Sequence, residues 1–482
     1  MDVGLISTFG EVAAEDDNSI LDYFVETDSV AQIFEGNKFL ILGRKGSGKT
    51  ALFRYFNERQ SSSTISLPLN LRGYPWSLHA KRADGDSSSA EQYEASWRFL
   101  IATEFAQLVI SKLTGTSKWT DEAKSLVEFF NVNYGGVNVT LEDVLRPPAL
   151  QLSKASFEPV ILGCRIGSIS MERRDASGFS RELNALTDLI LEAAFYICKR
   201  EGFSKILLHF DELDQGMVDF DQQRQLLIIG LILACRKVNS ESDKAGVLLK
   251  SIVYLRSDMW DKLIFSDKNK IAKTNKWEIE WGEPALKGLI DLRIQKYIKG
   301  ASWSSICDDQ LMRGRQAKFS HIVSRTFKRP RDVINFLNTT LALAKARVVA
   351  PSAERLFINK DIVGSRRDYS ASLKLELDDE IKPHWDNWDQ ALRVISGIGR
   401  VVFTKKDFVL AYERTRLAQA LSADEALKSL YEFSVIGYYR VSSGYGGSEY
   451  VFRYDQKGES WDENAELFKV HLGLKEYAGL TE

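Results

Sequence analysis

The chain has 482 residues, room for about three domains, with 27% charged residues and 44% from the hydrophobic set. These are ordinary globular values, which exclude a fibrous chain or one disordered throughout. Lys and Arg (64) almost balance Asp and Glu (66) for a net charge of −2, so the chain is no polybasic binder and any nucleic-acid surface would be a local patch.

In chain order, an acidic segment comes first: Glu11, Glu15, Asp16, Asp17, Asp22, Glu26 and Asp28. Lys38 to Leu42 reads as an apolar strand ending in a glycine turn, and a helix starts at Lys49. A second strand is expected near Thr64 to Leu71, a loop at 82–90, and helices at about 90–114, 120–131 and 180–200. Lys205 to Phe210 is a buried strand, Asp219 to Val238 a helix, and Leu248 to Leu255 another strand. Short apolar strands alternating with helices predict a parallel sheet of βαβ units. Beyond about 285 the pattern turns helical. Trp388 to Ile398, Lys405 to Arg414 and Ser422 to Phe433 then read as three short helices. The β-like segments Gly437 to Val441 and Glu449 to Tyr454 follow, around the glycine-rich 442–448. Three helices and a glycine-tipped hairpin is a winged-helix pattern.

Cys164, Cys198, Cys235 and Cys307 are far apart and never in CxxC, which predicts buried reduced thiols rather than zinc ligands or a disulfide framework. Met1 to Gly10 has no basic leader pattern, and the longest apolar run, Leu226 to Cys235, is too short to span a bilayer. Cytoplasmic placement is expected.

Gly43-Arg44-Lys45-Gly46-Ser47-Gly48-Lys49-Thr50 fits G-x-x-x-x-G-K-[ST]. Glycines let backbone N–H groups turn inward around phosphates, and the helix that follows points its positive end at them. Lys49 would reach the β- and γ-phosphates, and the Thr50 hydroxyl would bind Mg²⁺. The strand from Lys205 ends in Asp211-Glu212. Asp211 would hold the Mg²⁺ shell, and Glu212 would orient or deprotonate the attacking water. His209, inside the strand, reads as a core or sheet-face histidine, and Asp214 as a loop or cap residue.

The Asp-Glu pair at a strand tip resembles the Walker B motif of the additional-strand P-loop ATPases, which include AAA+ and STAND proteins. No Asn-Lys-x-Asp guanine motif is present, so the resemblance favours ATP over GTP. In that class the next strand carries a polar sensor at its tip. Arg256, ending Ser251 to Arg256, matches that place; the alternative is a solvent-facing strand-end arginine. Lys328-Arg329-Pro330-Arg331-Asp332 resembles the sensor 2 and lid motif of origin-recognition-type initiators and STAND ATPases, with Lys328 where glycine is usual. The resemblance implies that Arg331 touches the phosphates and Pro330 packs near the base; the alternative is simply a basic helix start.

The resemblance thus implies an α/β fold: a P-loop NTPase core at 1–290 with a helical insertion at about 80–180, a helical lid at 291–375 and a winged helix at 380–482. The insertion is inferred from the interval of 162 positions from Lys49 to Asp211. Phe9-Gly10-Glu11, Ala14-Glu15-Asp16-Asp17, the glycine loop and Asp211-Glu212-Leu213-Asp214 resemble a bacterial P-loop ATPase family often found in phage-defence loci. ATP and Mg²⁺ are the expected cofactors.

Two functions follow. One is an ATP-driven switch that assembles into a homo-oligomer and licenses a separate nuclease-like effector in antiviral defence. The other is a DNA-binding initiator or loader. Residues 380–482 hold 13 Lys/Arg against 16 Asp/Glu, and the candidate recognition helix offers only Lys428, which disfavours duplex reading there. Lys405, Lys406, Arg414 and Arg416 form a modest patch or a solvated helix face. Arg313, Arg315, Lys318, Arg325, Lys328 and Arg329, with no acid between 311 and 331, are the better DNA-facing candidates, or could meet the acidic 11–28 segment of a neighbour.

Overall fold

The computed structural model describes residues 1–59, 64–82, 90–113, 119–145, 160–161, 164–165, 176–203, 205–214, 220–350, 352–415, 421–441, 447–456 and 459–482. The chain divides into two compact units, one of Glu26–Lys45 with Lys49–Ile279, the other of Met1–Val25, Gly46–Gly48 and Glu280–Glu482.

The first unit is built on five parallel strands, β1 (Leu40–Gly43), β2 (Thr64–Asn70), β5 (Lys205–Asp211), β6 (Leu249–Arg256) and β7 (Lys276–Glu278), in the order β2-β5-β6-β1-β7. A minor antiparallel pair, β3 (Val160–Ile161) and β4 (Cys164–Arg165), stands apart. Strands β1, β5 and β6 read as near-continuous apolar runs because helices cover both faces. Helix Ala90–Ser111 lies between helices Ala176–Glu201 and Gln222–Ala245. Trp97, Phe99, Leu100 and Phe105 bury it in the same core as the strands, so this stretch of the 80–180 interval is part of the core. The loop at 83–89 lies outside the described residues. The Leu226 to Cys235 run is the buried middle of Gln222–Ala245, whose start Asp221 caps by accepting the Arg224 N–H at 2.7 Å. Among the described residues no helix is long and apolar enough to cross a membrane. Cys198, Cys235 and Cys307 are buried and free.

In the second unit, helices Glu283–Gln295, Pro330–Val348 and Asn359–Ile381 share one core with the C-terminal segment. That segment carries helices Trp388–Ile398, Lys405–Tyr412 and Ala423–Glu432. Its four-stranded antiparallel sheet joins β8 (Val402–Thr404), β9 (Ile436–Arg440), β10 (Glu449–Val451) and β11 (Leu467–Val470) in the order β10-β9-β11-β8. Capping boxes at Thr404 and Ser422 start the second and third helices. This is the winged helix, with two more strands than the sequence signals. The tip at 442–446 lies outside the described residues.

Candidate functional site

In the first unit, chemistry gathers at the carboxyl ends of three adjacent strands. Strand β1 ends at Gly43, β5 at Asp211 and β6 at Arg256, and β6 pairs with both others. The Arg256 strand is therefore inserted between the glycine-loop strand and the acid-tipped strand. Helix Lys49–Glu58 follows the loop. The Lys49 ammonium folds back onto the carbonyls of Gly43 (2.9 Å) and Arg44 (3.2 Å). Burial lowers its pKa, opposed by the charges of Asp214 and Asp211. Asp211 is 4% exposed. Burial pushes its pKa up to about 6 against the Glu212 backbone and Lys49, so this carboxylate gains from a cation. Glu212 sits at φ 60, a left-handed conformation that costs a side-chain-bearing residue on the order of 1–2 kcal/mol. Such strain clusters at functional positions. Thr50 is the second helical residue, partly exposed.

Arg256 is bound by acids. Its Nε and Nη2 donate to Asp258 at 3.0 and 2.8 Å, and its Nη1 lies 3.3 Å from Asp214. Burial raises the Asp258 pKa, but Arg256 more than offsets it, and the net shift is downward. Sequence reasoning reached Asp214 only as a cap and missed Asp258, although an acid two residues beyond a strand-end arginine is a visible signal. His209 is a buried, neutral core residue, as expected. Its Nδ1 is 3.0 Å from the Tyr254 hydroxyl, it stacks on Phe56, and burial holds its pKa down to about 3.

In the second unit, Gly46 and Gly48 take φ of +78 and +97, which glycine alone adopts without strain. The Ser47 carbonyl accepts the Trp281 indole N–H at 2.8 Å, while its buried hydroxyl has no partner. Arg331 lies against Gly46, where a Cβ would come within 2.8 Å of the Arg331 Cβ. Pro330 is buried at the first position of its helix, where its missing N–H costs nothing. Lys328 has φ 52, in the left-handed region that glycine adopts most readily.

The N-terminal motif is clamped on the same unit. Phe9 N–H donates to Asn338 Oδ1 at 2.8 Å, and Asn338 Nδ2 to the Gly10 carbonyl at 2.9 Å. Gly10 has φ +98, and a Cβ there would lie 1.8 Å from Arg293 Nη1. Buried Arg293 pairs with Asp17 at 3.4 Å and stacks over the Tyr23 ring.

The six cations of 311–331 do not form the one exposed basic surface expected of them. Lys318 is buried against Asp308, Arg325 is buried, Lys328 pairs with Asp455, and Arg329 is buried among Asp332, Glu376 and Glu380. Only Arg313 and Arg315 of the six are exposed. The acidic segment is likewise partly used within the chain, since Asp17 meets Arg293, Asp22 meets Lys296, and Glu26 meets Arg59. Lys405 pairs with Asp424 at 2.8 Å, and Arg416 lies outside the described residues.

Strand order, glycine loop and strand-end acids together define the P-loop NTPase fold in its additional-strand form, followed by a helical segment and a winged helix. Residues 7–65 match the ORC-CDC6-like family, and residues 284–378 match the FunZ-associated C-terminal helical domain. The chain is 22% identical over 356 residues to the "Putative transposon gamma-delta 80.3 kDa protein" of Escherichia coli K12, covering 68% of this chain and 46% of that one. It thus spans about half the length of that relative. Similar solved structures include the Aeropyrum pernix Orc1 protein in complex with DNA (12% identity, TM-score 0.37, 98% of this chain and 95% of that one). Cdc6p of Pyrobaculum aerophilum is another (11% identity, TM-score 0.29, 99% and 97%).

Proposed function

We propose that the protein is a Mg²⁺-dependent ATPase of the initiator or loader type. The observation that carries the ATPase reading is the inward-turned Lys49 ammonium, acted on by the charges of Asp211, which ends β5, and of Asp214 in the turn just beyond it. The residues suit ATP and Mg²⁺: Ser47 has an unfilled buried hydroxyl, and Asp211 is a desolvated carboxylate. Gly43, Arg44, Lys45, Gly46, Ser47, Gly48 and Lys49 would wrap the phosphates, with Thr50 and Asp211 holding Mg²⁺. The metal, when bound, neutralises charge on the phosphates. Glu212 would take the proton of the attacking water, and Arg256 would release its acids to meet developing charge. Arg331, set against Gly46, and Pro330 would read the nucleotide from the lid.

The match of residues 7–65 to the ORC-CDC6-like family favours the initiator or loader reading. A second reading is the ATP-dependent assembly switch that controls a separate nuclease-like effector in bacterial antiviral defence. The winged helix favours it: its third helix opens with Asp424 and Glu425, which suits protein contact better than phosphate contact. Calorimetry of ATP against wild type and Lys49→Ala tests the ATPase reading, with binding expected only to wild type and equal affinities contradicting it. Sedimentation velocity of Glu212→Gln with and without ATP tests the switch. An ATP-dependent oligomer supports it, and one unchanged species rejects it.

A further inference from the structure

Arg325 differs from the other lid cations. It is 5% exposed, yet no carboxylate of the described residues lies within ion-pair distance of it. Its Nη1 reaches the His321 carbonyl and ring, both at 3.3 Å, and the Ser324 hydroxyl at 3.5 Å, and its Nε has no partner. A second guanidinium faces the same ring. Arg366, from helix Asn359–Ile381, places Nη2 2.5 Å from His321 Nε2. Its Nε is also buried without a partner, and Glu476 stands 3.9 Å from its Nη1.

The histidine between them is neutral. Arg366 can only donate, so Nε2 must accept. Nδ1 then carries the hydrogen and donates to Gln316 Oε1 at 3.0 Å, so the Arg325 Nη1 that faces Nδ1 finds no acceptor on the ring and keeps only the His321 carbonyl and the Ser324 hydroxyl. Burial, followed by Arg325 and Arg366, holds the His321 pKa down to about 3, and burial with Arg366 lowers Arg325 to about 10. Lys475 adds positive charge and is offset by Glu476 and Glu482. Arg313 and Arg315 are exposed and flank Gly314 just ahead of Gln316, the acceptor of His321, and Arg313 and Arg325 both act on the Glu482 carboxylate.

Buried arginines ordinarily have an anionic partner. Two guanidinium groups with open N–H donors, Arg325 with no carboxylate in ion-pair reach and Arg366 with only Glu476 at 3.9 Å, are the donor set an oxyanion fills. We propose that Arg325 and Arg366, oriented by His321, form an oxyanion site for a backbone phosphate of nucleic acid. A phosphodiester chain fits better than an isolated anion, because Arg313 and Arg315 add exposed charge outside the pair for flanking phosphates. This rests on the initiator or loader reading and supplies the phosphate contact that the acidic winged helix does not.

The test is fluorescence anisotropy of a mixed-sequence duplex DNA at several salt concentrations, with wild type, Arg325→Gln, Arg366→Gln and the double variant. Each single change should weaken binding by about tenfold, as for loss of a charged hydrogen bond, independent of sequence. Each should also make the salt slope shallower by about one. Arg325→Lys, which keeps the charge but loses the fork, should fall between. Without DNA, the thermal midpoint of Arg325→Gln should hold or rise, whereas a purely structural arginine would lower it. Wild-type affinity and slope in the double variant overturn this site and leave the loader reading standing. A wild type that binds no duplex overturns both.

Discussion

Arg325 and Arg329 are four residues apart and both buried, yet their surroundings are opposite. Arg329 donates to Asp332 at 2.7 Å, Glu376 at 3.1 Å and Glu380 at 3.2 Å. Arg325 meets a neutral histidine and a second arginine. One helix decides both cases. Asn359–Ile381 supplies Glu376 and Glu380 to Arg329 and, about 15 to 21 Å away along its axis, Arg366 to the His321 ring beside Arg325. A run of cations in sequence is therefore neither a patch nor a core feature until the facing helix is known.

The sharpest way to break this comparison is to remove each guanidinium. Arg329→Met strands three carboxylates, two of them deeply buried, and should cost about 3–5 kcal/mol in urea unfolding, while Arg325→Met should stay within about 1 kcal/mol. Equal losses would mean that the two environments are energetically alike. Arg293, a third buried arginine of the unit, extends the test. Gly10→Ala pushes a Cβ into its guanidinium at a backbone angle suited to glycine, and should cost about 1–3 kcal/mol by the same measurement.

Titration sharpens the comparison further. Burial and the Asp332 charge raise the Glu376 pKa to about 7, against Arg329 and Arg331. The folded state then binds a proton more tightly than the unfolded one. This contribution to stability is complete below about pH 4.5 and is lost as pH rises through about 7. Glu376→Gln should flatten that fall in a series of unfolding curves, and an unchanged slope would remove Glu376 from the account. The smallest effect belongs to Lys328→Gly. Relief of the left-handed backbone opposes the added unfolded-state freedom and the loss of a partly exposed pair with Asp455. The net change should be under about 1 kcal/mol; a loss above about 2 kcal/mol would make Lys328 structural.

Local signals carried the sheet. Strands β1, β5 and β6 are apolar runs bounded by turns, β2 alternates apolar and polar residues, and the glycine loop and Asp211-Glu212 declare their chemistry by spacing. Strands β7, β8 and β11 were not legible, because three or four residues are too few for a period to stand out in the sequence. The partners of the lid cations were hidden for another reason. Asp308, Asp455, Glu376 and Glu380 lie 10 to 127 positions away in sequence, and only folding brings them in. Lys328 was legible as a departure from glycine; its positive φ was not.

The central claim is that the strand-tip site hydrolyses ATP. Its most direct test is steady-state phosphate release by wild type and Glu212→Gln at saturating Mg·ATP, with ATP binding measured on the same samples. The account predicts that binding survives while turnover falls by about 10²-fold or more, as for loss of a general base. Equal turnover in the two proteins would contradict it.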